Sequence, residues 1–132
     1  AASLTLGVAL LRRISAVAVM QIGFVAAAAL TLAFLAAPGH PALCLAVAAA
    51  LGLVQGAGFA AVPELNAAPA DRALANGGLA QTGNLGNTLG VPVLAACISA
   101  FGFAGLVWPL ALALALGAAG QAWLARLRDG DT

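Results

Sequence analysis

The side chains in this sequence that could do chemistry are mostly amides, and they crowd into one stretch. Between Asn76 and Pro92 stand Asn76, Gln81, Asn84 and Asn87, together with Thr82, Thr88 and five glycines. On a helix turning about 100° per residue, Gln81, Asn84, Asn87 and Thr88 share one arc of about 120°. Gly83, Gly86 and Gly90 fall in the arc beside it. An amide offers donors and an acceptor without charge, so this face can hold a polar solute by hydrogen bonds. The amides supply no nucleophile and no acid or base. Gln55, earlier in the chain, is of the same kind. The plainer role for any one of these amides is packing between helices, at about 0.6 kcal/mol each. As an arc they suggest a cavity, because an unpaired amide in hydrocarbon costs several kcal/mol. Gln55, Gln81, Asn84 and Asn87 are therefore the candidate substrate-binding residues.

The elements that carry them follow from the charges. Five arginines, no lysine and four acids make 7% of the 132 residues, hydrophobic residues make 64%, and the mean hydropathy is +1.08. A soluble domain carries about 25% charged residues. This composition excludes a soluble enzyme, a disordered tail and a nucleic-acid binder, since there is no basic field to attract phosphate. Residues 14–63 and 73–125 contain no Asp, Glu, Lys or Arg. A membrane-crossing helix needs about 20 apolar residues, so each run holds two spans and a turn. Pro38-Gly39-His40-Pro41 breaks the first run, and Phe101-Gly102-Phe103 breaks the second more softly. The expected fold is all-α and polytopic, with spans near 14–36, 42–62, 73–100 and 104–125. Residues 1–11 are apolar, too few to cross, and without the features of a secretory signal. They read as the end of a partial helix, and the chain as a fragment.

Arg12 and Arg13 precede the first full span, Arg72 lies between the second and third, and Arg126 and Arg128 follow the fourth. An even number of crossings separates these groups, so all five share a side. The positive-inside rule makes that side, with the C-terminus, cytoplasmic. Phe101, Phe103 and Trp108 suit one interfacial belt, and Trp123 the other. Alanine richness with arginine in place of lysine suggests a GC-rich bacterial genome and hence an inner membrane.

The spans differ in polarity. The first has only Gln21 and Thr31, and the fourth only Gln121, so both are expected to face lipid around much of their circumference. The second carries Gln55 and a Gly52-x-x-x-Gly56 spacing, which lets helix backbones approach closely. Gly52, Gly56, Gly83, Gly86 and Gly90 are the expected packing glycines, and Pro92 marks a place where the third span can bend. Asp71 and Arg72 lie in a cytoplasmic connection, where solvation is the plainer account and a latch between loops the sharper one. His40 is the only histidine and is opposite in topology to every acid, so no catalytic constellation and no metal or cofactor site is expected. Cys44 and Cys97 both fall toward the non-cytoplasmic ends of their spans. Topology permits a bridge, although two small apolar residues is the plainer reading.

Pro63-(x)5-Pro69-Ala-Asp-Arg72-Ala-Leu-Ala-Asn76-Gly77, followed by Gln81-x-Gly83-Asn84-x-Gly86-x-x-x-Gly90-x-Pro92, resembles the region around the penultimate helix of major facilitator superfamily transporters. A helix end, a short basic turn, four spans and a short tail resemble the C-terminal part of that family. The resemblance implies that residues 1–11 end helix 8 and that the four spans are helices 9 to 12. It also implies that the second and third spans approach the central cavity. The turn after Leu11 has Arg12-Arg13 but not the acid and glycine of the family's loop signature, and Pro92 is displaced by one position from the glycine–proline pattern of its fifth helix.

The resemblance implies secondary active transport of a small solute by alternating access. The partners would be the lipid bilayer, the solute, the remainder of the transporter chain and a coupling proton carried by residues outside this chain. An alternative class is a complete four-span protein working as an oligomeric exporter or assembly subunit, held together through its glycines.

Overall fold

A computed structural model describes residues 14–130, with side chains to residue 128. The expected partial helix at 1–11, with Arg12 and Arg13, lies outside the described residues. The described residues are all-helical: α1 spans Ala16–Ala33, α2 Pro41–Leu65, α3 Pro69–Phe101 and α4 Ala104–Gly130. All four are long and apolar enough to cross a membrane.

Local chemistry sets the boundaries. Ser15 caps α1, its hydroxyl oxygen accepting the Ala18 N–H at 3.2 Å. The helix stops at Ala33, earlier than the expected span, and its end unwinds through i→i+3 turns into Pro38-Gly39. Gly39 takes φ +70°, a conformation that costs a side-chain-bearing residue about 1–2 kcal/mol. Pro41 and Pro69 each occupy the first turn of their helices, where a missing N–H leaves nothing unpaired. Gly102, with φ +63°, ends α3, and its N–H returns to the Ile98 carbonyl. At 18 residues α1 is about 27 Å long, close to the ~30 Å hydrocarbon core. At 33 residues α3 is about 50 Å long and must overhang it. Both α2 and α3 run unbroken through internal prolines, Pro63 and Pro92.

The least polar span is the one at the centre. Helix α1 packs between α2 and α4, while α3 leans on α4 and touches α2 more lightly. The buried residues of α1 are Ala16, Val19, Gly23, Ala27 and Thr31, a stripe of mostly small side chains at helical spacing. Val19 meets Leu53 and Ala57 in one cluster, and Ala27 meets Ala50 and Leu114 in another. Helix α1 thus has partners on two sides, while Ile22, Val25 and Leu32 keep part of its circumference exposed.

Glycines make the close contacts, at positions other than those expected. A Cβ on Gly23 would lie 2.8 Å from Val54 Cγ2, and one on Gly117 would lie 2.7 Å from Phe24 Cε1. A Cβ on Gly105 would collide with the Cys97 carbonyl, so the α3–α4 hairpin closes on that glycine. Among the described residues, nothing beyond the local helical turns lies within 4 Å of a Cβ placed on Gly56, Gly83, Gly86 or Gly90. These four do not pack helices within this unit, and Gly52 is half-buried in α2.

The surface is apolar. Leu45, Leu74, Phe101, Leu112, Leu116, Trp108 and Trp123 are all more than half exposed. A monomer in water does not present so much apolar area, whereas acyl chains cover it without penalty. Trp108 and Trp123 stand about 22 Å apart along α4, a spacing suited to the two interfacial belts.

Candidate functional site

Where α3 diverges from α2, it leaves a groove of about 470 Å³. Gln55 and Phe59 of α2 form one wall, and Leu79, Asn84 and Asn87 of α3 the other. Met20 and Phe24 of α1 form the floor with Gly58. Gly58 is buried, and a Cβ there would meet Leu79 Cδ2 at 3.7 Å and Met20 Sδ at 3.8 Å. Three helices therefore converge on a position that carries no side chain.

Three of the four candidate residues, Gln55, Asn84 and Asn87, line this groove, and Gln81 does not. Helical geometry accounts for the difference. Gln81 is about 120° around the helix from Asn87, on the side turned from α2. Gly83, which also lines the groove, is about 40° beyond Asn87. The groove thus opens on the seam between the amide arc and the glycine arc, not on the centre of the amide arc. Thr82 lines it as well, but its hydroxyl donates to the Gly78 carbonyl at 2.8 Å. Thr88 donates to Asn84 in the same way, at 2.9 Å. The threonines are satisfied within α3. No described residue hydrogen-bonds to the side-chain amides of Gln55, Gln81, Asn84 or Asn87, and no residue of α3 is buried.

A second cavity, of about 640 Å³, lies at the end where α1 begins and α2 and α4 finish. Ser15, Gln21, Glu64, Gln121 and Arg128 border it. Gln121 Nε2 donates to the Val17 carbonyl at 2.7 Å, tying α4 to α1. The Oε1 atoms of Gln21 and Gln121 are buried with no partner among the described residues. Sequence reasoning passed over this pair, because each is a lone amide on an apolar span. Their signal was position: both lie near the arginine-bearing ends of their helices.

Comparison with family models, curated proteins and solved structures found no match. The chemistry available is that of the two cavities. Among the described residues no cluster of His, Cys, Asp and Glu could hold a metal ion. Cys44 is exposed, Cys97 is half-buried, and both are free thiols. The connection between α2 and α3 is held locally: Arg72 Nε donates to the Asn66 carbonyl at 2.8 Å, and Asn66 Nδ2 donates to the Val62 carbonyl at 2.9 Å. The groove offers a ligand uncharged hydrogen-bonding groups on two facing helices and apolar walls between them.

Proposed function

We propose that this chain forms part of a secondary active transporter, of the kind found in the major facilitator superfamily, and that the α2–α3 groove is a wall of its solute path. The observation that carries the reading is the convergence of Gln55, Asn84 and Asn87 on one groove while their amides lack partners among the described residues. Amides left facing lipid cost several kcal/mol apiece, so the face needs a wet path or further protein over it. In such a transporter two helical bundles rock about a site near the bilayer midplane. The arginine-bearing end would face the cytoplasm of a bacterial inner membrane. No acid lies within the four helices away from their ends, so a coupling carboxylate would belong to other parts of the protein. The reading frame upstream of the Ala1 codon tests this. About seven further hydrophobic spans are expected, and their absence overturns the reading. Uptake by the full-length product in proteoliposomes, abolished in Asn84→Ala/Asn87→Ala, is the functional counterpart.

A second reading is favoured by the open glycines. The exposed face of Gly83 and Gly86, beside unpartnered amides, also suits close approach of another copy of α3. In that case the chain is a complete four-span exporter or assembly subunit. A stable oligomer of this chain alone in detergent would support it, and a monomer at all concentrations would exclude it.

A further inference from the structure

We propose that the α2–α3 groove binds an uncharged, amphipathic solute of drug-like size, with one or two hydrogen-bonding groups on an apolar frame. The inference rests on the transport reading above and narrows its substrate to a chemical class.

Size comes first. At about 470 Å³ the groove falls within the ~300–1,000 Å³ that small-molecule sites occupy. It has room for a fused ring system, and a metal ion or a single amino acid would leave most of it unfilled.

Charge comes next. None of the groove residues is ionisable, and residues 14–63 and 73–125 hold no Asp, Glu, Lys or Arg. Glu64 and Arg128 border the other cavity, at the start of α1, and line no part of the groove. An ion in the groove would sit in an apolar setting without a counter-charge among the residues that line it, which costs far more than leaving a neutral group there. Amides offer no net charge to offset that cost.

Polarity sets the last bound. A purely apolar ligand would leave the three amides unpaired, at about 1–3 kcal/mol for each unsatisfied group. A sugar fails for the opposite reason. Its ring of hydroxyls would meet Gln55, Asn84 and Asn87 at a few points and Phe24, Phe59, Leu79 and Met20 elsewhere, stranding most of its donors. Thr82 adds little, because its proton is already given to Gly78. A frame with an apolar body and one or two polar groups satisfies both sets of walls. Phe24 and Phe59 supply aromatic surface and Met20 an adaptable thioether. Gly83 keeps the seam open, since a side chain there would project into the groove.

A matched pair of probes tests this on the full chain in lipid nanodiscs. N-phenyl-1-naphthylamine is neutral, and 1-anilinonaphthalene-8-sulfonate is the same scaffold with an anionic sulfonate. Fluorescence titrations, with empty nanodiscs subtracted, should show saturable binding of the neutral probe at about one per chain and at least tenfold weaker binding of the sulfonate. Gly83→Leu, which has open space for its side chain, should weaken the neutral probe about tenfold by filling the seam. Asn84→Asp should do the same by introducing charge. Equal affinity for the two probes overturns the class, and so does an unchanged neutral-probe affinity in Gly83→Leu. The probe comparison needs no variant, so a misfolded mutant cannot mask the result. Neutral-probe selectivity without upstream spans would sink the transport reading and keep the site. Equal probe affinities in a protein whose full-length form takes up solute would sink the class and keep the transport reading.

Discussion

The carboxylate of Glu64, in the last turn of α2, accepts the backbone N–H of Ala16, the first residue of α1, with its two oxygens at 3.0 and 3.1 Å. Helix α1 has no acid of its own in its first turn. Glu64 places a negative charge at that positive helix end, where anions are favoured, and Ser15 satisfies a second N–H. One contact therefore caps α1 and joins two segments 48 residues apart in sequence. Loss of a capping group typically costs about 1 kcal/mol. Glu64→Ala should lower the thermal midpoint of the purified chain in detergent, followed by circular dichroism. Glu64→Gln, which keeps an acceptor oxygen but not the charge, should fall between the two. Three equal midpoints would show that the contact contributes nothing to stability.

Two classes of glycine should respond oppositely to alanine. At Gly23 the obstacles include backbone, with Val54 N at 3.2 Å and Ala50 O at 3.3 Å from an added Cβ, so α1 and α2 must separate to admit it. Gly23→Ala should destabilise by about 1–3 kcal/mol, as overpacking does. Gly86 has open space and lies within a continuous helix. Gly86→Ala should be neutral or stabilise by up to ~1 kcal/mol through helix propensity. Unfolding of the two variants in mixed micelles makes the comparison. A destabilised Gly86→Ala would mean that a further helix covers that face.

The four helices were legible because a charged side chain is so costly in hydrocarbon that its absence over residues 14–63 and 73–125 leaves few alternatives. The turns were legible from Pro38-Gly39 and Gly102, whose conformations the neighbouring residues cannot share cheaply. Order within the bundle was not. Polarity ranked α1 as peripheral, yet Ala16, Gly23 and Ala27 place it between α2 and α4. In a membrane, small residues rather than hydrophobic ones mark a helix–helix contact. The groove was half legible. Periodicity grouped Asn84, Asn87 and Gln81 on one arc, but the rotation of α3 is set by its packing on α4 at Gly105, which no single-helix pattern contains.

Gln21 and Gln121 each bury an acceptor oxygen that finds no partner among the described residues. An unpaired buried acceptor costs about 1–3 kcal/mol, more than a typical hydrogen bond contributes. Gln21→Leu should therefore raise the thermal midpoint. Gln121→Leu also forfeits the bond to the Val17 carbonyl, and should change stability by less than about 1 kcal/mol. A strong loss in Gln21→Leu would show that its oxygen is paired in the membrane, by water in the adjoining cavity or by further protein.

Orientation can be read from two turn positions on either side of α2. His40 precedes Pro41, is exposed and makes no side-chain capping bond, while Ala67 lies in the exposed connection beyond Leu65. If α2 crosses the bilayer, the two positions must lie on opposite sides. The proposed orientation would put position 67, close to Arg72, in the cytoplasm. In a Cys44→Ala/Cys97→Ala background, His40→Cys should react with a membrane-impermeant maleimide on intact cells. Ala67→Cys should react only after permeabilisation. The reverse pattern would invert the chain. Labelling of both from outside would show that α2 does not span, because a 25-residue helix crossing the core cannot present both ends to one side.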